Sequence, residues 1–558
     1  MKLFIAQLNP VVGDINGNFG KIMHAARTAD AEQADLIITP ELCLTGYPPL
    51  DLLERTDFLD TSDTFISYLK KELPKDRMTI VGAPFRELID NETRLFSAAY
   101  VFHNGHIVDV IKKTLLPTYD VFDEARYFTT NNEPPRVITL GREKIGITIC
   151  EDIWNDELFA KTRRYQKNPL AELMKKKPTI VVNISASPWE SGKHLYRRDM
   201  IVHATKRWKT TLVYVNQTGA NDALIFDGRS MIVREGRILW AGPHYEPCLE
   251  SFDLMHYKKR PPVDVTKTGD LFLALTLGIK DYFAKQGFTK AVIGLSGGID
   301  SALVAVLAVH ALGKDNVLGV LMPSEFSSGH SISDAEFLAA NLGIQTLVLP
   351  IQSPFESMKA LLRTQIASST LPDAMKEKIT ADDVTEENIQ SRVRGMLLMA
   401  LSNKYGYLML ATGNKSEMST GYATLYGDLC GALAPLGDVF KTDVYTLSEY
   451  VNASYGRCIP DNIITKAPSA ELRPNQKDQD TLPPYEILDG ILRAYLEEGL
   501  PFDDIIEKFN KTTATWVIRT LHQNEYKRRQ APLILKTSKK SLRPGRYFPI
   551  VQKYHRHF

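Results

Sequence analysis

The first half of the chain alternates short apolar runs with longer stretches of helical period. "LFIAQL" (3–8), "LIITPE" (36–41), "TIVGAPF" (79–85), "KIGITICED" (144–152) and "TIVVNISAS" (179–187) have strand length and are apolar nearly throughout. Strands covered on both faces read this way, whereas a half-solvated strand alternates. The stretch from Ala99 to Lys112 predicts a hairpin turned at Asn104-Gly105, a pair that tolerates the positive φ of a tight turn. "TLVYVNQTGA" (211–220) and "SMIVREGRIL" (230–239) add further strands and turns. Strands mixed with helices of about 10–15 residues predict a layered α/β unit.

The pattern lapses between 255 and 269. "MHYKKRPPVDVTKTGD" is polar, proline-bearing and aperiodic, as a connection between domains should be. The rhythm then restarts with a helix expected over Leu271–Lys285, the strand "AVIGL" (291–295), a glycine- and serine-rich loop and another helix. "VLGVLMP" (317–323), "QTLVLP" (345–350) and "GYLMLATGN" (406–414) are expected as further buried strands of a βαβ succession. The expected division is therefore 1–254, a linker over 255–269, and a doubly wound parallel-sheet domain over 270–558. No internal repeat or low-complexity tract is present.

Composition narrows the function classes. The 558 residues allow about two to four domains. A hydrophobic fraction of 44% and a charged fraction of 24% are ordinary for a globular chain. With 67 basic and 66 acidic residues the net charge is +1, which gives no electrostatic case for nucleic acid or an anionic membrane as partner. The basic stretches at 174–178 and 526–530 are candidate anion sites, the first reading better as a solvated face. Five scattered cysteines suggest neither a disulfide framework nor a CxxC metal site. With no apolar run of about 18 residues and no signal-like N-terminus, a cytoplasmic location is expected.

Chemistry concentrates in two places. In "GLSGGIDS" (294–301) a buried strand ends in a turn of small residues that opens a helix. Glycine allows close approach of the backbone, and the first amides of a helix lack intrahelical partners, so this geometry binds phosphate. Asp300 conflicts with an anion unless a cation such as Mg²⁺ lies between them. The loop is neither a GxxxxGK[ST] nor a GxGxxG motif. The second place is spread over the first half. Glu41 follows a strand in "LIITPELCLTGYPPLD", Lys113 opens "KTLLPTYDVFDEARYF", and Cys150 ends a strand in "KIGITICEDIW". A thiol needs a base to become a nucleophile, and an acyl-transfer intermediate needs a donor near its oxyanion. Glu, Lys and Cys supply those roles. Cys43 lacks the CED context and reads as packing.

These motifs carry resemblances. SGG-x-DS between strand and helix resembles the N-type ATP pyrophosphatases, which cleave ATP between the α and β phosphates and transfer AMP. "PE-x-x-x-x-G", "K-x-x-LP-x-Y" and "I-x-x-CED-x-W" resemble the nitrilase superfamily, with its αββα sandwich and Glu–Lys–Cys triad. Nitrilase-like then pyrophosphatase-like, the chain resembles the glutamine-dependent NAD⁺ synthetases over nearly its whole length. That resemblance implies a Rossmann-like, adenine nucleotide α-hydrolase-like second domain. It implies conversion of deamido-NAD⁺, ATP and L-glutamine to NAD⁺, AMP, pyrophosphate and glutamate, with ammonia passed between sites and a homo-oligomer. By the same resemblance Cys150 is the nucleophile, Glu41 the base and Lys113 the stabiliser of the tetrahedral intermediate. Tyr119, Ser187 and Lys193 match glutamine-holding positions. Gly294, Leu295, Ser296, Gly297, Gly298, Ile299, Asp300 and Ser301, with Thr412, Lys441 and Ser469, match ATP contacts. Asn388, Arg392, Glu417 and Lys527 match deamido-NAD⁺ contacts, and Asp300 and Glu417 match Mg²⁺ ligands. Leu425 and Ala432 stand where ammonia-only members carry lysine and aspartate. The residues alone leave open an amidotransferase acting on another acid, or a first half that serves as a scaffold.

Overall fold

The computed structural model describes residues 1–159, 164–379 and 381–554. The chain forms two compact units, Met1–Thr266 and Lys267–Phe558.

The first unit is built on two six-stranded sheets. One runs from edge to edge as Cys248–Asp253, Lys2–Gln7, Leu36–Ile38, Met78–Ile89, Glu92–His103 and His106–Lys112. The other runs Arg237–Ala241, Met231–Arg234, Thr211–Asn216, Ile180–Ser185, Glu143–Ile149 and Val137–Leu140. Because side chains alternate between faces and both faces are covered, the strands read as continuous apolar runs. Ile5, Ile38 and Ile80 face Ile147, Val182 and Val213 in the layer between the sheets. Phe4 and Ile37 turn to the other side and pack on Ile22 and Ala26 of the helix Ile15–Ala31 and Ile66 of the helix Thr56–Glu72. Val181 and Leu212 of the second sheet cover Leu173 and the helix Lys193–Trp208 through Met200 and Ile201. The result is the αββα sandwich. The hairpin turns at Asn104 (φ 54°) and Gly105 (φ 73°), as expected.

The second unit holds a four-stranded parallel sheet in the order Gln345–Val348, Val317–Leu321, Ala291–Gly294, Leu408–Met409. The strand at Gln345–Val348 departs from the expectation of burial: it is largely exposed because it forms the sheet edge. Successive strands are added on one side of Ala291–Gly294, and Leu408–Met409 is added on the other. The strand order therefore reverses between these two strands, which in such sheets opens a crevice at their carboxyl ends. The helix Lys267–Gln286 starts four residues earlier than the periodicity predicts. A second, mainly helical core gathers Met418, Leu488, Ile491, Val517, Leu521 and Ile534. Among the described residues no helix is long and apolar enough to cross a membrane.

Candidate active sites

The first site lies at strand ends in the first unit. Glu41 follows Leu36–Ile38 in a tight turn against Gly82: a Cβ on Gly82 would stand 2.4 Å from the Pro40 carbonyl oxygen and 2.8 Å from the Glu41 Cα. Glycine there is what lets the Glu41 turn approach the neighbouring strand. Cys150 ends the strand Glu143–Ile149 and opens a 3₁₀ turn with φ 42°. That value is costly for a non-glycine residue and is held by the surroundings. Asp152 supplies the hold. Its Oδ2 accepts the Ile149 N–H (3.1 Å), and its Oδ1 accepts the N–H groups of Thr114 (3.1 Å) and Leu115 (2.8 Å). One buried carboxylate thus ties the cysteine turn to the segment that carries Lys113.

Glu41, Lys113 and Cys150 are all buried. Glu41 Oε1 accepts from the Lys113 ammonium (2.8 Å) and the Ser97 hydroxyl (3.3 Å), and Oε2 accepts the Ala186 N–H (3.2 Å). Burial pulls the Lys113 ammonium down, but Glu124, Glu41 and Cys150 outweigh it and leave it well above its usual value. Burial first, and then Glu41, push the Cys150 thiol well up, with Lys113 opposing. The resting thiol is therefore protonated and surrounded by the groups that could take its proton.

Glu124 was not singled out from the sequence, yet it completes this cluster. Both of its oxygens accept from Lys113 (2.9 and 2.6 Å), and Oε1 also accepts from the Tyr47 hydroxyl (2.8 Å). Burial raises its carboxyl to about 7, with Lys113 pulling it down and Glu41 pushing it up. The signal that could have found it is an acid eleven residues after Lys113 in a segment already carrying Tyr119.

Tyr119 and Lys193 both pack against Phe122. The Tyr119 ring lies edge-on to Phe122 (5.4 Å), and the Lys193 ammonium sits 5.8 Å from Phe122 and 5.6 Å from Trp154. The hydroxyls of Tyr119 (3.0 Å) and Tyr165 (3.0 Å) both donate to the buried Glu151. Ser187 follows Ala186, whose N–H holds Glu41, and its own N–H donates to Asn216 (2.9 Å). Cys43 is a different case. It is buried beside Thr39 (2.9 Å) and its thiol is pushed up to about 12 by burial.

The second site is a cavity of about 460 Å³ in the second unit, at the strand reversal. The loop after Ala291–Gly294 forms one side. Gly297 has φ 75°, and a Cβ on it would stand 2.2 Å from the Ser331 carbonyl oxygen, so glycine is required by both conformation and space. Ser296 accepts the Gly298 N–H (3.2 Å), and Ser301 donates to the Gly298 carbonyl (2.9 Å). Gly294, Leu295, Ser296, Gly298, Ile299 and Asp300 line the cavity, whereas Gly297 and Ser301 shape the loop from behind.

Thr412, Glu417, Lys441 and Ser469 also line it. The Lys441 ammonium bridges Asp300 Oδ2 (2.5 Å) and Glu417 Oε1 (3.2 Å). Burial pulls Lys441 down, but Asp300 and Glu417 outweigh it and raise it. Burial raises the Glu417 carboxyl to about 8, with Lys441 opposing. Asn414, unrecognised in the sequence, links the two sides: its amide donates to Asp300 Oδ1 (2.9 Å) and its oxygen caps the Glu417 N–H (3.0 Å). Asn388 and Lys527 lie on the cavity wall, the Lys527 ammonium donating to the carbonyls of Gly421 (2.7 Å) and Ala423 (2.9 Å). Arg392 departs from the expectation. On the helix Val384–Tyr405 the cavity takes Val384, Glu387, Asn388, Ser391, Arg394, Gly395 and Leu398, and Arg392 falls beyond that face. It is exposed and donates to the Leu425 carbonyl (3.1 Å), while Arg394 lines the cavity instead. Of the basic stretch 526–530, Arg528 is buried in packing, donating to the Ser419 carbonyl (2.8 Å).

Two family models match, carbon-nitrogen hydrolase over residues 2–247 and NAD synthase over 271–531. The glutamine-dependent NAD(+) synthetase of Synechocystis sp. is 43% identical, the alignment covering 99% of this chain and 98% of that one. The enzyme of that name from Thermotoga maritima is 40% identical, with 99% of both chains covered. Among solved structures, the glutamine-dependent NAD⁺ synthetase of Acinetobacter baumannii, determined with ADP, is 36% identical over 99% of this chain and 98% of that one, with a TM-score of 0.76. A Cytophaga hutchinsonii glutamine-dependent NAD(+) synthetase, 20% identical, shares the fold at a TM-score of 0.83 over 99% of this chain. With relatives at this identity along its full length and both models in this order, the chain belongs to the glutamine-dependent NAD⁺ synthetases, enzymes that join a nitrilase-like glutaminase domain to an NAD synthetase domain.

Proposed function

We propose that the chain amidates deamido-NAD⁺ to NAD⁺ with ammonia taken from glutamine, at the expense of ATP cleaved to AMP and pyrophosphate. The observation that carries this reading is the burial of Glu41, Lys113 and Cys150, far apart in sequence, within electrostatic reach of one another, with Lys113 bonded to Glu41.

In the first site the Cys150 sulfur attacks the side-chain amide carbon of glutamine as its proton passes to Glu41. Lys113, kept cationic by Glu124 and Glu41, faces the charge that develops on the carbonyl oxygen. Collapse of the tetrahedral adduct transfers the proton to the leaving nitrogen, releasing ammonia and leaving a thioester. Water, deprotonated by Glu41, then attacks the thioester to give glutamate and restore the thiol. Tyr119, Ser187 and Lys193 hold the amino-acid end of the substrate.

In the second site the nicotinate carboxylate of deamido-NAD⁺ attacks the α-phosphorus of ATP, and pyrophosphate leaves. Ammonia adds to the adenylated carbonyl and gives up one proton, and AMP leaves with the bonding pair to give NAD⁺. The loop 294–301, Thr412, Lys441 and Ser469 hold ATP. Asn388, Glu417 and Lys527 hold deamido-NAD⁺. Arg394, on the cavity wall, takes the place first expected for Arg392. The donor set fits a hard dication: the carboxylates of Asp300 and Glu417 already converge on one cation, the Lys441 ammonium, beside the phosphate loop. Mg²⁺ is ordinarily held by one or two carboxylates together with phosphate oxygens. When bound there, it supplies neutralisation of the phosphate charge.

The test compares two nitrogen sources. Cys150→Ala should reduce glutamine-supported NAD⁺ synthesis to background and leave ammonia-supported synthesis within about twofold of the parent. Equal loss of both would overturn the division of labour. Omitting deamido-NAD⁺ should abolish glutamine-supported pyrophosphate release; release sustained by another carboxylic acid instead would overturn the substrate.

A further inference from the structure

The helix Lys441–Tyr455 begins with a residue of the second site, yet it lacks a cap of its own. Its N-cap residue is Phe440, whose side chain offers no acceptor. The first N–H groups of a helix must find partners, and buried ones cost most when left unpaired. They find them in a different element. Asp489, on the helix Tyr485–Leu492, is 1% exposed, and its Oδ2 accepts the Thr442 N–H (2.9 Å) and the Thr442 hydroxyl (2.8 Å). The Lys441 N–H donates to the Ser416 hydroxyl (2.9 Å), which in turn donates to Asp489 Oδ1 (2.5 Å).

Ser416 is adjacent to Glu417. One carboxylate therefore caps the helix that starts at Lys441 and, through Ser416, ties that start to the short helix that carries Glu417 and is capped by Asn414. The side chains of those residues meet at the cavity wall on Asp300. The same helix Tyr485–Leu492 also places Tyr485 against this group. Its ring lies 5.3 Å from the Lys441 ammonium, and its hydroxyl donates to Asp478 (2.8 Å). A carboxylate at a helix N-terminus is favourable electrostatically, which explains why an acid can be buried here.

We propose that Asp489, acting through the Ser416 hydroxyl, is a positioning residue that sets the separation of Glu417 and Lys441 in the ATP site. It does not touch substrate. This inference rests on the assignment of that cavity to ATP. Its consequence is specific. Loss of the relay loosens the Lys441–Glu417–Asp300 arrangement and so weakens nucleotide binding, without disturbing the Cys150 site.

The experiment uses the full-length enzyme with Asp489→Asn, Ser416→Ala, the double variant and Glu417→Gln. The readouts are the equilibrium affinity for a non-hydrolysable ATP analogue, measured calorimetrically with Mg²⁺ present, and kcat and KM for ATP in ammonia-supported synthesis. Asp489→Asn should weaken analogue binding and raise KM for ATP about tenfold or more. Ser416→Ala, which leaves the cap on Thr442 intact and so keeps the fold, should do the same to a smaller degree. The double variant should be no worse than Asp489→Asn, because both act through one relay. Glutaminase turnover should stay unchanged in Asp489→Asn and Ser416→Ala. Unchanged analogue affinity in Ser416→Ala and Asp489→Asn, while Glu417→Gln weakens it, would overturn the relay and keep the site. Unchanged affinity in Glu417→Gln as well would overturn the assignment of the cavity. Additive losses in the double variant would show two independent packing effects and also overturn the proposal.

Discussion

Glu124 shows how much of a candidate site can rest on a residue not singled out from the sequence. It neutralises and orients Lys113 through both oxygens, so Glu124→Gln should lower glutamine-supported synthesis by about 10²- to 10³-fold while sparing ammonia-supported synthesis. The same substitution should change the pH dependence of stability. The Glu124 carboxyl is raised from 4.5 to about 7, chiefly by burial. Between those values the folded unit keeps a proton that the unfolded chain has released. Its contribution to stability is therefore full below about pH 4.5 and is lost as pH rises through about 7. Thermal unfolding followed from pH 5 to 8 should show a flatter profile in Glu124→Gln than in the parent. An unchanged profile would mean that Lys113 holds the carboxylate ionised throughout. Asp152 and Asn414 belong to the same class: each joins two segments that carry the chemistry, and each was passed over in the sequence because its partners are backbone groups or distant side chains.

At the scale of elements, the sites are made where strands end. Cys150, Glu41 and the 294–301 loop all follow buried strands, and glycine supplies the close approach beside two of them. Gly82→Ala would drive a methyl group into the Glu41 turn and should cost roughly 1–3 kcal/mol of stability in the first unit, together with most glutaminase activity. Denaturant unfolding and glutamate release measure the two losses. The strands, the Asn104-Gly105 hairpin and the glycine- and serine-rich loop at 294–301 were legible because each depends on a short local pattern: an apolar run, a turn pair, a loop between strand and helix. The position of a strand within its sheet was not. Gln345–Val348 reads like its neighbours but lies at an edge, since pairing order is set by long-range contacts. Arg392 and Arg394 show the same limit on a helix. Both are basic and two positions apart, and only the packing of Val384–Tyr405 decides which of them meets the cavity.

At the scale of the whole molecule the two units carry separate candidate sites. Gly297→Ala, which would place a methyl against the Ser331 carbonyl, should abolish synthesis from either nitrogen source and leave Cys150 open to labelling by a glutamine-like electrophile. Labelling measured by mass spectrometry, alongside NAD⁺ formation, checks both halves of that expectation. The order of the motifs, the family they imply and the roles proposed for Glu41, Lys113, Cys150 and the 294–301 loop rest on the sequence itself, because a thiol nucleophile, a base and a phosphate cradle each demand particular residue types. What only tertiary structure decided is which further groups share a site with them. Glu124 reaches Lys113, Asn414 reaches Asp300, and Asp489 caps a helix from another element, because burial leaves each charged group and each helix start in need of a partner, and folding alone determines which distant residue supplies it.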